Sequence, residues 1–199
     1  MDKMKIVVLV SGNGTDLQSV IDAVESGYIE NSEIVLVISS KADAYALTRA
    51  AIHGIETKIF AKEDYDDIRD RMDAIYEALD MESPDLIVLA GYLSILPPAL
   101  IKKYEGRIIN IHPALLPKYG GKDAYGMNVH RAVIAAGEKE SGATVHYVDE
   151  GIDTGKIILQ EKVPVLPDDT PEKLRDRILE VEHRILPEAI RQIEKGRTE

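Results

Sequence analysis

Ile6-Val7-Val8-Leu9-Val10-Ser11-Gly12-Asn13-Gly14-Thr15-Asp16-Leu17 is the stretch that decides the fold. Its five apolar residues run without alternation, as a strand covered on both faces requires. A glycine turn follows, and from Leu17 to Ser26 apolar residues return at three- and four-residue spacing, which predicts a helix. Strand, tight turn and helix make the first half of a parallel crossover unit.

The same unit recurs outward along the chain. Ile34 to Ile38, Leu86 to Ala90 and Ile108 to Ile111 are further continuous apolar runs, and Thr57 to Phe60 reads as a short edge strand. Ala42 to His53 and Tyr65 to Leu79 carry helical spacing between them. After Pro113 the pattern changes: Ala143 to Val148 and Lys156 to Val165 are extended runs joined by an acidic glycine loop, an antiparallel pair. Thr170 and Pro171 then cap and open a last helix, which Pro187 is expected to kink or restart. The predicted fold class is α/β: an open, mostly parallel Rossmann-like sheet with helices on both faces and an antiparallel C-terminal strand pair. Residues 1–199 read as one domain, with 1–110 as the parallel half and 111–199 carrying the later strands.

Composition narrows the function. Lys and Arg number 24 against 35 Asp and Glu, a net charge of −11 that argues against a nucleic-acid partner. With no Cys, a thiolate nucleophile, a disulfide framework and Cys-ligated metal are excluded. No apolar run approaches the ~20 residues of a membrane span or the pattern of a leader, so the cytoplasm is the expected compartment.

Three features carry candidate chemistry. Gly12, Asn13, Gly14, Thr15 and Asp16 sit where an open α/β sheet binds ligands, and a helix N-terminus there offers free N–H groups to a phosphate. The same residues also serve as a plain strand-to-helix turn, with Asp16 favouring the helix dipole. Leu17 occupies the third glycine position of the dinucleotide fingerprint, so a monophosphate fits better than NAD or ATP. Asn110 and His112, two apart on a strand that Pro113 ends, share one face, where an amide donor beside an imidazole suits a developing oxyanion and a moving proton. Asp153, in the acidic glycine loop, is placed to orient His112 or accept its charge. No pair of histidines has zinc-hydrolase spacing, and the acidic loop lacks the residues of a calcium loop.

Val10-Ser11-Gly12-Asn13-Gly14-Thr15, Ala90-Gly91-Tyr92-Leu93-Ser94-Ile95-Leu96, Asn110-Ile111-His112-Pro113-Ala114-Leu115-Leu116-Pro117 and Gly151-Ile152-Asp153-Thr154-Gly155 occur in order over nearly the whole chain. Together they resemble the phosphoribosylglycinamide formyltransferases, folate-dependent enzymes of de novo purine (IMP) synthesis. The resemblance implies Asn110, His112 and Asp153 as the catalytic residues. It implies the substrate ribonucleotide on Gly12, Asn13, Gly14, Thr15 and Asp16, with Glu182 at its glycinamide end. It implies the folate against Tyr92, Leu93, Ser94, Ile95 and Leu96, Asn110, and Gly151, Ile152 and Asp153. 10-Formyltetrahydrofolate is then a co-substrate, with no metal and no tightly bound cofactor. The partners are small molecules, with no nucleic acid and no membrane, for a monomer or homodimer. Larger formyltransferases and deformylases carry an extra domain for which 199 residues leave no room.

Three positions depart from the family pattern. Asp16 stands where Asn is common, and Ser94 where Arg is common. Arg69 is the nearest match to the basic residue at the folate tail, one position out of register. Tyr119 to Asn128 forms a longer, glycine-rich segment that could close over substrate. The competing readings are hydrolysis of 10-formyltetrahydrofolate, formylation of another amine, and a non-catalytic folate- or nucleotide-binding module.

Overall fold

The computed structural model describes residues 2–197. Strands β1 (Met4–Val10), β2 (Ser32–Ser39), β3 (Thr57–Ile59), β4 (Leu86–Leu89), β5 (Ile108–His112), β6 (Glu140–Tyr147) and β7 (Ile157–Pro164) form one sheet in the order β3-β2-β1-β4-β5-β6-β7. The first five are parallel and β6 and β7 run antiparallel, as the sequence predicts. The helices are α1 (Thr15–Glu25), α2 (Tyr45–Ile52), α3 (Ile68–Glu82), α4 (Pro98–Lys103), α5 (Met127–Ala135) and α6 (Pro171–Gly196). No helix among the described residues is long and apolar enough to cross a membrane.

Strand alternation sends Ile6, Val8 and Val10 into one apolar layer and Val7 and Leu9 into another. Leu17 and Val20 of α1, Val129 of α5 and Ile178 of α6 close the first layer. Ile75 and Leu79 of α3 and Leu100 of α4 close the second. Each such side chain, fully withdrawn from water, contributes about 1.5–3 kcal/mol. Both faces are therefore buried, which is why the strands read as unbroken apolar runs.

Two expectations about helices change. Pro187 does not restart α6, which continues to Gly196. One lost backbone bond is outweighed by a buried stripe that runs past it, from Leu174 and Ile178 to Ala189 and Ile190. Helix α3 begins three residues later than Tyr65, because Lys62–Asp64 form a 3₁₀ turn and the Asp67 side chain accepts the Arg69 N–H at 2.8 Å.

From β1 the chain winds outward to β2 and β3, then crosses back to β4 on the opposite side. The carboxyl ends of β1 and β4 thus flank a topological switch point, where open sheets leave a crevice. Ser11, at the end of β1, ties its rim together: its hydroxyl accepts the Leu93 N–H at 2.9 Å and pairs with the Ser40 hydroxyl. Gly14 caps α1 at φ 74°, and a Cβ there would lie 2.5 Å from the Ala46 Cβ. Only glycine satisfies both demands.

Candidate active site

The two polar residues of β5 meet a histidine from the neighbouring strand. In the antiparallel register Asn110 lies opposite His146, and the Asn110 Nδ2 is 3.1 Å from the His146 Nε2. His146 Nδ1 stands 2.9 Å from the Tyr147 carbonyl, which can only accept. In the neutral ring Nδ1 therefore carries the hydrogen and Nε2 accepts from the Asn110 amide. One amide hydrogen of Asn110 is left for a ligand.

Asp153 comes from the turn between β6 and β7 and lies between two imidazoles. Its Oδ2 is 3.6 Å from His112 Nδ1 and its Oδ1 3.6 Å from His146 Nε2. These are charge contacts rather than hydrogen bonds. The turn is built locally: Asp149 accepts from the Gly151 N–H at 3.0 Å and the Thr154 hydroxyl at 2.7 Å. A Cβ on Gly155 would fall 1.8 Å from the Tyr147 carbonyl, so the chain passes there only without a side chain.

The glycine-rich segment between β5 and α5 bonds to the same pair. His112 Nε2 donates to the Tyr119 carbonyl at 2.8 Å, and the Gly121 N–H donates to Asp153 Oδ2 at 3.0 Å. The Tyr119 contact fixes the hydrogen on Nε2 and leaves Nδ1 facing the carboxylate. Burial pushes the His112 pKa down, while Asp153 and the Tyr119 carbonyl oppose that fall. The net direction is downward, which disfavours a resident proton on the ring. Burial works to raise Asp153, but the His146 contact, the Gly121 N–H and the charges of both imidazoles hold its carboxyl below the usual range.

Asn110, His112, Asp153 and His146 open on a cavity of about 660 Å³. Leu93, Ile95 and Ile152 are exposed apolar side chains on its rim, suited to the face of a flat heterocycle. Tyr92, Ser94, Leu96 and Gly151 also line it. Of the glycine turn, Asp16 lines the cavity, while Gly12, Asn13 and Gly14, between β1 and α1, and Thr15, the first residue of α1, are not among its lining residues. Glu182 of α6 joins Asp16 in the wall and is 5% exposed. Burial pushes Asp16 up to about 6, and burial together with the Asp16 charge pushes Glu182 well above the carboxylate range.

Arg69 is not brought to the cavity. Its side chain is 85% exposed and paired with Asp67. The basic residue that does reach the loop after β4 is Arg71, 4% exposed, donating to the Phe60 carbonyl at 2.7 Å and the Ser94 hydroxyl at 3.2 Å. Two residues along a helix turn a side chain by roughly 200°, which is why Arg69 faces water while Arg71 is buried. The contacts of His146 and Arg71 had no signal of their own in the sequence. Only the strand register and the helix phase reveal them.

A crevice at the carboxyl ends of parallel strands, lined by an amide, an imidazole and a carboxylate, is the layout of an enzyme that works on a carbonyl group. The chain belongs to the formyl transferase family, whose model matches residues 4–190. It is 45% identical to the phosphoribosylglycinamide formyltransferase of Haemophilus influenzae, over 97% of this chain and 88% of that one. Identity to the Escherichia coli K12 phosphoribosylglycinamide formyltransferase is 41%, over 98% and 89%. Among solved structures, the phosphoribosylglycinamide formyltransferase of Coxiella burnetii superimposes with a TM-score of 0.90 at 43% identity, covering 98% of this chain and 89% of that one. A formyltetrahydrofolate deformylase from Pseudomonas syringae has the same architecture at 27% identity and a TM-score of 0.89, with 98% of this chain matching 63% of it.

Proposed function

We propose that this chain transfers the formyl group of 10-formyltetrahydrofolate to the primary amine of glycinamide ribonucleotide. The products are formylglycinamide ribonucleotide and tetrahydrofolate. The convergence of Asn110, His112 and Asp153 on one cavity beside the glycine turn carries the reading. Relatives at 41–45% identity over nearly the full chain support it. The ribonucleotide phosphate takes the turn Gly12 to Thr15 and the free N–H groups of α1, and Glu182 meets the glycinamide end. The pterin lies against Leu93 to Leu96 and the Gly151 to Asp153 segment. Both halves of the chain, divided at residues 110 and 111, thus serve one site. The same reading makes the folate a co-substrate and the protein a cytoplasmic monomer or homodimer.

In the reaction the amine nitrogen bonds to the formyl carbon, and negative charge moves onto the formyl oxygen. The free Asn110 amide hydrogen stabilises that oxygen directly, and a proton gained by His112 places positive charge beside it. Both neighbours of the ring, the Asp153 carboxylate and the Tyr119 carbonyl, favour a positive imidazole. The site is therefore arranged for His112 to gain a proton as the oxyanion forms, not before. The carbon–nitrogen bond to the folate then breaks, and the proton lost by the amine ends on the departing nitrogen. One oxyanion donor is worth about 3–4 kcal/mol and general acid–base help about 10²- to 10⁴-fold. Holding two large substrates in register supplies much of the rest.

The likeness to a deformylase gives hydrolysis a specific footing, with water in place of the amine. Initial rates separate the two. Tetrahydrofolate release that requires glycinamide ribonucleotide and falls at least about 10²-fold in His112→Ala supports transfer. Formate release at the same rate without the ribonucleotide overturns it.

A further inference from the structure

Asp16 poses a physical problem at the proposed phosphate turn. Its Oδ1 is shut off from solvent and bonded to nothing, 3.7 Å from an equally unbonded His183 Nε2. Asp16 nonetheless lines the cavity. Beside it in the same wall is Glu182, 5% exposed. The nearby cation on α2, Arg49, is committed to the turn itself, donating to the Asn13 carbonyl at 2.9 Å and the Asn13 side-chain oxygen at 3.0 Å. Burial pushes the His183 pKa down and Arg49 adds to the fall, while Asp22 opposes it.

Two carboxyl groups in one buried wall do not both ionise readily, and in the free protein Glu182, pushed further up, is the one that favours its proton. A carboxylate facing a phosphate dianion would repel it, whereas a carboxylic acid can donate a hydrogen bond. We propose that Asp16 binds the substrate's phosphate as a neutral carboxylic acid, its O–H turned to a phosphate oxygen, so that a proton enters the site with the substrate. This rests on the reading that the phosphate occupies the Gly12 to Thr15 turn.

The direction of the linkage follows. Burial already brings Asp16 up to about 6 in the free protein, and an adjoining dianion raises it further. At pH 7 Asp16 passes from mostly ionised to mostly protonated on binding, an uptake on the order of half a proton or more. The bound value exceeds the free one, so the added affinity is full below pH 6 and is lost as pH rises through the bound value.

Calorimetric titration of glycinamide ribonucleotide, without folate, in two pH 7 buffers of different ionisation enthalpy counts the protons. The wild type should take up about half a proton or more in excess of Asp16→Asn, and His183→Gln should keep that excess. Equal counts in wild type and Asp16→Asn overturn the proposal, as does loss of the excess in His183→Gln, which would place the proton on the imidazole. Wild-type affinity, measured without any variant, should fall from pH 6 to 8. A flat or rising affinity also overturns it. If the wild type fails to bind the ribonucleotide at any pH, the functional reading falls, and this inference with it.

Discussion

Replacing Asp153 by Asn removes one charge and little else. The amide keeps an oxygen to accept the Gly121 N–H, so the glycine-rich segment keeps its anchor. What disappears is a carboxylate 3.6 Å from a nitrogen of each imidazole. At that distance and an effective dielectric of 20, a pair of unit charges is worth about 4–5 kcal/mol, a ceiling of roughly three pK units. Relaxation and residual solvent reduce this to an expected one or two units. Asp153 opposes the fall that burial imposes on His112, so its loss sends the imidazole pKa lower still. The acid limb of the kcat profile should move to lower pH by about one or two units, and kcat should fall by about 10²- to 10⁴-fold. Steady-state rates from pH 5 to 9, with histidine C2-proton titration by NMR on the same variant, measure both quantities. An unmoved acid limb with kcat within about threefold of wild type would refute the role given to Asp153.

Gly14→Ala forces a Cβ into the Ala46 side chain at a left-handed position. It should cost at least about 2 kcal/mol by urea denaturation, and a loss below about 0.5 kcal/mol would contradict the packing argument. His130, 3% exposed, is pushed down to about 4 by burial. The unfolded chain therefore binds this proton more readily, and stability falls as pH drops from about 6.5 towards 4, by on the order of 3 kcal/mol from this residue. His130→Gln should remove that part of the slope, and an unchanged slope would contradict the assignment. Arg71→Met frees the loop that Ser94 anchors and should raise the folate KM by about tenfold or more. Arg69→Ala, losing only an exposed pair, should leave that KM within about twofold, and the reverse ranking would restore Arg69 to the site.

The sheet was legible because both of its faces are buried: continuous runs such as Ile6 to Val10 admit few other readings. Asn110 and His112 stood out as polar residues inside such a run, and strand alternation was enough to put them on one face. Contacts set by pairing between distant segments were not legible. His146 meets Asn110 only through the β5–β6 register, which a separation of 36 positions leaves open. Helix α4 is six residues long and opens behind Pro97, too short for a periodic signal. That α6 runs through Pro187 rather than restarting was not legible, because the local penalty is fixed by the proline ring whereas the burial that outweighs it depends on how α6 packs. Asp16 showed a third kind of limit. Its charge is plain in the sequence, but the wall it shares with Glu182, which governs its protonation, exists only in the fold.

The destination of the formyl carbon tests the account most directly. With ¹³C in the formyl group of 10-formyltetrahydrofolate and ¹⁵N in the amine of glycinamide ribonucleotide, a single turnover should yield a formamide carbon split by one-bond coupling to that nitrogen. The label appearing instead as free ¹³C-formate, with the amine unmodified, would contradict it.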